Sequence, residues 1–402
     1  MEFLEGNITA PIGFSSAAVN ADISGKGKDK EDLMIIFSDI PSISAGVFTK
    51  NIVKSGTVEY CMENIKRDKS RAMLGLSGIA NTCVLDAYDN AKKICELAAD
   101  FLNISKEEVL PASTGRIGKR LPMEKIKSGF EKMDRPDKKS FKAAARAIMT
   151  SDTFPKAITI KEKIAGKDIC ISCMGKGSGM IHPNMGTTIN YATTDIAITK
   201  ELLQEVLAEA VDDTINMVSI DGDTSTNDTF LIMASGLAGN DLINERDENY
   251  YKFLDLFKIA LREIAKMLAK DGEGATKLLI CRVNGARSKS DAKALAKSII
   301  SSVRYKAAMS VVDTYFSRIL SNMGNAGVDF DYRRVKIKYG WDNHEIIMYE
   351  NGMANDLNDQ IIKDMENIKE LNIVVDLNYG DFSAESFGCD LTSDYVKSVT
   401  NY

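Results

Sequence analysis

A threonine or serine can serve as its own general base when it is the first residue of a chain, because a free α-amino group then sits beside the hydroxyl. That amine titrates at about 7.7–8.0, close to working pH, so it can take the hydroxyl proton. Gly186-Thr187 offers such a residue inside the run Gly175-Lys-Gly-Ser-Gly-Met-Ile-His-Pro-Asn-Met-Gly-Thr-Thr188. The chain begins with Met, so this first residue has to be created by internal cleavage. Gly186 lets the backbone strain without a Cβ, and the Thr187 hydroxyl can attack the preceding carbonyl in an N-to-O acyl shift. The plainer alternative is a β-branched strand residue.

The side-chain inventory closes off rival chemistries. There are only two histidines, His182 and His344. A Ser-His-Asp or Cys-His enzyme would have to use one of them, and multi-histidine metal sites are excluded. His344 follows Trp341-Asp-Asn in a polar, strand-like stretch and reads as a surface residue. Seven cysteines, an odd number, read as free thiols in a reducing cytoplasm. Cys170 and Cys173 form a single C-x-x-C, but they sit in the apolar alternation Asp168-Ile-Cys-Ile-Ser-Cys-Met, which reads as a strand and not as a zinc or redox turn.

Three further segments are too polar and too rich in Gly, Ser and Thr to read as packing elements. They are Pro111-Ala-Ser-Thr-Gly-Arg-Ile-Gly118, Ser219-Ile-Asp-Gly-Asp-Thr-Ser-Thr-Asn-Asp228 and Asp271-Gly-Glu-Gly-Ala-Thr-Lys277. Such loops are where function concentrates. Gly175-Lys-Gly-Ser-Gly lacks the spacing of a Walker A phosphate loop. Asp221, Asp223 and Ser225 start like a calcium loop, yet Thr226 stands where Gly is needed and Ile232 where Glu is needed.

The elements that must position these segments follow from pattern. Leu33–Phe37 and Ala45–Thr49 read as two strands parted by the turn residues Ser38-Asp-Ile-Pro. Residues 87–105 read as a helix with Ala91, Ile94, Ala98 and Phe101 on one face. Residues 123–133 and 138–149 read as basic amphipathic helices with solvated faces. The clearest helix spans 200–217, with Leu203, Val206, Leu207, Ala210 and Val211 opposite Glu201, Glu205, Glu209 and Asp212. Helices at 251–270 and 290–309 and strands at 334–339 and 344–349 complete the reading. This order fits an α/β (α+β) layered sandwich better than a doubly wound parallel sheet.

Composition sets the outer limits. The 402 residues are 44% apolar and 27% charged with a formal charge of −6, which disfavours nucleic acid and anionic membrane surfaces as partners. No apolar run approaches the roughly 18 residues of a membrane span. The acidic start Met1-Glu-Phe-Leu-Glu5 does not read as a signal peptide.

Taken together, the motifs resemble the ornithine acetyltransferases, the bifunctional glutamate N-acetyltransferases of arginine biosynthesis. The resemblance runs through Gly13-Phe14, Ala45-Gly-Val-Phe-Thr-Lys-Asn51, Ala112-Ser-Thr-Gly-Arg-Ile-Gly118 and Ile148-Met-Thr-Ser-Asp-Thr-Phe-Pro-Lys156. It continues through Lys176 to Thr187, Asp221 to Asp228, and Glu273-Gly-Ala-Thr-Lys277. It implies a layered fold of the N-terminal-nucleophile type, cleaved into a chain 1–186 and a chain 187–402 that includes a smaller C-terminal lobe. The two chains are expected to stay together as a cytoplasmic α2β2 heterotetramer. By the same resemblance Thr187 is the nucleophile, and the Thr114 hydroxyl and Gly115 N–H form the oxyanion hole. Thr153, Lys176, Thr187 and Glu273 bind the amino-acid substrate. No metal or other cofactor is implied. The alternative for Lys176 and Glu273 is a surface charge pair.

The departures from the family pattern are local. Leu76-Ser-Gly-Ile-Ala-Asn81 puts Leu and Ile where the family has Asn, and Ser310-Val-Val-Asp-Thr-Tyr-Phe-Ser-Arg318 is rewritten. Val399 occupies a position at which the family has Asn, and the chain stops at Tyr402 before a final hydroxyl. These changes raise the alternative of a divergent paralogue in secondary metabolism, an acyltransferase or amide hydrolase with another substrate.

Overall fold

The structure, a computed structural model, describes residues 1–27, 29–182, 188–312, 316–355 and 359–399, the side chains of 359, 360, 362 and 399 excepted. Gly186 and Thr187 therefore lie outside the described residues, as do the Val399 side chain and residues 400–402. The chain divides into two compact units. One comprises Met1–Gly177, Pro183–Ile215 and Thr224–Ile264, the other Ser178–His182, Asn216–Asp223 and Ala265–Tyr402.

The strands, in chain order, are β1 (Glu2–Glu5), β2 (Phe14–Val19), β3 (Leu33–Phe48), β4 (Lys69–Ile79), β5 (Val109–Arg116), β6 (Lys156–Ile164), β7 (Lys167–Lys176) and β8 (Ile189–Thr194). They continue as β9 (Val218–Ser219), β10 (Thr229–Ala234), β11 (Leu278–Ala286), β12 (Lys336–Trp341), β13 (His344–Glu350), β14 (Met353–Ala354), β15 (Glu370–Asp376) and β16 (Phe382–Cys389). Among the described residues the first unit holds one mixed sheet in the order β1-β6-β7-β8-β10-β3-β4-β5, with β2 also pairing β3. The second holds β14-β13-β12-β15-β11-β16-β9.

Period-two alternation makes the first sheet a two-faced layer. Leu33 and Ile35 of β3 join one core with Ala91, Ile94 and Ala98 of the helix Ala87–Leu102. Met34 and Ile36 point to the opposite core, with Ala144, Ala145 and Ala147 of the helix Phe141–Ala147. Each fully buried leucine or isoleucine side chain contributes about 1.5–3 kcal/mol. The helix Ala87–Leu102 stops at Asn103, whose φ of 56° lies in the left-handed region and whose N–H returns to the Ala99 carbonyl. In the second unit Ile337, Tyr339 and Trp341 of β12 alternate into a core shared with Ala292, Leu295, Ala296 and Ile299. His344 is exposed and stacks on Trp341 with ring centroids 5.5 Å apart.

The layered α/β reading stands, with both sheets mixed and most pairings antiparallel. Three local expectations do not. Leu33–Phe37 and Ala45–Thr49 are parts of one strand, β3. Its turn-like residues bulge out where Phe37 pairs Ala72 and Ser42 pairs Ser70. A Ser38–Ser42 hydroxyl bond of 2.7 Å and the Arg71 side chain on the Ser38 carbonyl at 3.1 Å close that bulge. Pro111–Arg116 is not a loop but the bulk of β5, with Ser113 fully paired inside. The helix expected over 290–309 is two, Lys289–Ser301 and Val303–Ser310.

Ser302 parts them. Its backbone is extended, and its hydroxyl accepts from the Tyr305 N–H at 3.2 Å, capping the second helix. Ser302→Ala should therefore cost about 1 kcal/mol in chemical denaturation. An unchanged midpoint would show that the break owes nothing to the cap.

Candidate active site

Thr114 and Gly115 lie near the end of β5, an edge strand, opposite Ser77 and Gly78 of β4. An edge presents N–H groups that the sheet does not use. Gly115 has φ 128°, and a Cβ there would lie 2.2 Å from the Gly78 carbonyl carbon, which is backbone and cannot yield. Both residues are half-buried, whereas their neighbour Ser113 is buried. A polar network secures them from below. The Ser113 hydroxyl donates to the Ala80 carbonyl at 2.8 Å, and the Asn227 side-chain amide donates to the carbonyls of Ala80 at 2.6 Å and Ser113 at 2.8 Å. The Thr82 hydroxyl meets Asn227 Oδ1 at 2.9 Å. Every member is satisfied by another, which is what a buried polar network needs in order to stiffen a strand end.

Lys176 ends β7, opposite Ile189 of β8. It is 7% exposed, so it is not a surface charge. Its counter-charge is Asp152, whose side chain is fully buried, 2.7 Å from the Lys156 ammonium and 4.0 Å from that of Lys176. Asp152 also accepts from the N–H groups of Gly177 at 2.7 Å and Thr150 at 2.9 Å. Burial alone would push the Asp152 pKa up, but Lys176 and Lys156 outweigh it and hold the carboxyl well below the usual carboxylate range. Thr153, the next residue, is exposed.

Residues 183–187 are preceded and followed in sequence by backbone that carboxylates hold. On the upstream side Asp221 accepts from the N–H groups of Met180 at 2.5 Å and Ile181 at 2.9 Å, and the Ile220 N–H donates to the Ile181 carbonyl at 2.7 Å. His182 Nδ1 meets the Ser219 hydroxyl at 3.0 Å, and burial with nearby Lys297 and Lys306 pushes its pKa down to about 4. Lys306, 2% exposed, donates to the carbonyls of Ser219 at 2.9 Å and of Ile220. Downstream, the Thr188 carbonyl accepts from the Thr229 N–H at 3.0 Å, and the buried Asp228 immediately precedes β10. Asp221 thus spends its oxygens on backbone N–H groups, and no group of three metal-binding side chains occurs among the described residues.

Glu273 belongs to the second unit and is 8% exposed, so it too is no surface charge. Its N–H donates to the Ser178 carbonyl at 2.8 Å, and its carboxylate lies against Gly179, where a Cβ would come within 2.6 Å of it. Asp390 fixes the following turn through the N–H groups of Thr276 at 2.7 Å and Lys277 at 2.9 Å. Leu76 and Ile79, two of the departures from the family pattern, are buried in the core behind β4.

Asp152, Asp221, Asp228 and Lys306 were not singled out by the sequence as positioning groups. The available signal was the i,i+4 spacing of Asp152 and Lys156, and acids inside otherwise neutral Ser/Thr-rich runs.

The family model described as the ArgJ family matches residues 15–402. The chain belongs to the ArgJ family. A relative from Caldanaerobacter subterraneus, named arginine biosynthesis bifunctional protein ArgJ, is 40% identical over 404 residues and covers 100% of both chains. The glutamate N-acetyltransferase of Methanocaldococcus jannaschii is 38% identical over 415 residues, again covering 100% of both. A crystal structure of arginine biosynthesis bifunctional protein ArgJ from Bacillus halodurans is 32% identical with a TM-score of 0.50. It covers 53% of this chain and 98% of the solved one.

In this ArgJ-family chain, Asp152→Asn removes the buried carboxylate that Lys156 and Lys176 share, at a cost of about 3–5 kcal/mol. Because the folded pKa of Asp152 is depressed, its contribution is complete above the ordinary Asp range. It is lost only as pH falls below that range. Urea titrations of both proteins at pH 7 and pH 3 check this. The gap should be present at pH 7 and still largely present at pH 3, and a gap absent at pH 7 contradicts the assignment.

Proposed function

We propose that the chain is a glutamate N-acetyltransferase of arginine biosynthesis, which moves acetyl from N-acetylornithine to glutamate through an acyl-Thr187. The observation that carries this reading is the match to relatives of that name and pathway along the whole chain. The same match tells against a paralogue in secondary metabolism, since the departures at Leu76 and Ile79 fall in the core.

The chain first cuts itself. The Thr187 hydroxyl adds to the Gly186 carbonyl carbon, the Gly186–Thr187 C–N bond breaks, and the nitrogen leaves as an amine carrying the hydroxyl proton. Water then hydrolyses the ester, giving a Gly186 carboxylate and a Thr187 with free hydroxyl and α-amino groups. Two observations support this. β7 and β8 flank the junction and pair in one sheet, so a cut between them leaves both fragments held. The solved Bacillus halodurans chain is matched almost end to end yet spans about half of this one, the share that 187–402 makes up.

In the transfer cycle Thr187 attacks the N-acetyl carbonyl. The Thr114 hydroxyl and Gly115 N–H receive the developing oxyanion, and ornithine departs with the proton that the α-amino group took from the hydroxyl. Glutamate's amine attacks the acyl-threonine in the mirror-image step. The substrate's carboxylate and ammonium ends need one fixed charge of each sign, and buried Lys176 and Glu273 supply them. Thr153 adds a hydroxyl. The fragments remain an α2β2 assembly in the cytoplasm. Unpaired cysteines support that compartment, and no described helix is long and apolar enough to cross a membrane.

Denaturing gels of the purified protein should show two bands, the smaller-numbered fragment ending at Gly186 and the other starting at Thr187 by N-terminal sequencing. Thr187→Ala should give the full-length band alone. Mixing the cleaved enzyme with N-acetylornithine should add one acetyl to the 187–402 fragment by intact mass. A single full-length band in active wild-type enzyme sinks the mechanism. Thr114→Val should lower kcat for N-acetylornithine with glutamate about a hundredfold, because one oxyanion donor is removed. A near-normal kcat would take Thr114 out of the oxyanion hole.

A further inference from the structure

Alternation along β5 decides which way Thr114 faces. Val109 lies in one core, whereas Leu110 and Ala112 lie in the other, beneath Ala144, Ala145 and Ala147 of the helix Phe141–Ala147. Thr114 has the parity of Leu110 and Ala112, so its side chain takes their face. Ser77 of β4 is in register with Thr114 and has the parity of Met73, which belongs to the same core. The two hydroxyls are therefore neighbours on one face, carried by strands about 4.8 Å apart.

A positive charge reaches this face from Lys30, just before β3. Its ammonium donates to the Met149 carbonyl at 2.8 Å, the Arg146 carbonyl at 3.1 Å and the Ser77 hydroxyl at 3.4 Å. The two carbonyls lie at the end of the helix Phe141–Ala147, where a cation is favoured. The residues after Lys30 fix its approach. Glu31 pairs with Arg146 at 2.6 Å, and the buried Asp32 accepts from the N–H groups of Ala21 at 2.8 Å and Ile23 at 2.6 Å. Ser77 is 2% exposed, and its oxygen is the acceptor in the Lys30 contact. Among the described residues the Ser77 proton meets no acceptor, and the Thr114 hydroxyl has no partner.

We propose that Lys30 is a positioning residue for Thr114, acting through Ser77. The ammonium claims the Ser77 oxygen as its acceptor, so the Ser77 proton turns away from Lys30 and toward the Thr114 oxygen. Thr114 then accepts from Ser77 and offers its own proton outward, to the oxyanion. A threonine hydroxyl left alone rotates about its C–O bond and donates or accepts in any direction. Hydrogen bonds in series that begin at a cation polarise each member the same way, which strengthens the last donor. No covalent bond forms or breaks in this relay, and each proton stays on its own atom. The proposal rests on the oxyanion role given to Thr114 above.

Ser77→Ala interrupts the relay and leaves the bonds from Lys30 to Arg146 and Met149 in place, whereas Lys30→Met removes the charge. Each should lower kcat for N-acetylornithine with glutamate about tenfold, the worth of one hydrogen bond to a charged group, with KM little changed. Lys30→Arg keeps a cation and should recover most of the loss. The double-mutant cycle decides. Thr114→Val has no hydroxyl to orient, so adding Ser77→Ala or Lys30→Met to it should cost less than about threefold more. A merely structural role would instead multiply the losses and lower the urea midpoint of Ser77→Ala, and that result overturns the proposal. Near-normal kcat in both single variants overturns it too. Rates are counted per cleaved chain from the two bands on denaturing gels. Failure of both single variants to cleave also overturns the proposal, because these residues would then act before transfer. A near-normal Thr114→Val is a separate failure, that of the oxyanion assignment itself.

Discussion

The antiparallel ladder between β7 and β8 is the interaction on which everything else hangs. It runs from Ile171 opposite Thr194 to Lys176 opposite Ile189, inside the sheet and not at its edge. Each ladder bond is worth only about 0.5–1.5 kcal/mol net. Every side chain of β8 is buried as well, so the pairing also carries hydrophobic weight. The segment joining the two strands can therefore be spent on chemistry. The register also fixes which groups arrive together, because it brings Lys176 at the end of β7 level with the start of β8, next to Thr188.

The molecule buries its charged and polar groups against specific partners. Asp152 sits between two ammonium groups, Lys306 is held by backbone carbonyls, and Asn227 joins Ser113 and Thr82 in one closed network. The Asp152 and Asn227 sets stiffen short stretches of backbone that carry proposed site residues, Lys176 in the one case and Thr114 in the other. Such groups cost desolvation, and that cost is recovered only in fixed geometry. A reaction whose barrier falls through preorganised donors has a use for that rigidity.

The helices were legible in the sequence because their apolar faces repeat at 3.6 residues, as Ala91, Ile94 and Ala98 do. The single strand β3 was not, because Ser38-Asp-Ile-Pro is turn chemistry by itself and only the Ser38–Ser42 bond and Arg71 hold it in line. The split at Ser302 was hidden for the opposite reason, since serine is tolerated inside helices and its capping bond shows only in three dimensions. At the site, Thr114, Lys176 and Glu273 stood out through motifs. The carboxylates that position them did not, because their partners are backbone N–H groups brought close by folding: Met180 and Ile181 for Asp221, Gly177 for Asp152.

The distribution of thiols has a practical side. Cys83 is exposed, just past Thr82 in the network behind β5, while every other cysteine is buried. Burial raises the buried thiols' pKa, that of Cys170 to about 12, and so suppresses the reactive thiolate. A maleimide dye should thus attach to native protein at one position, Cys83, in the first compact unit. The fold comes with a built-in address for following one half of the molecule by itself.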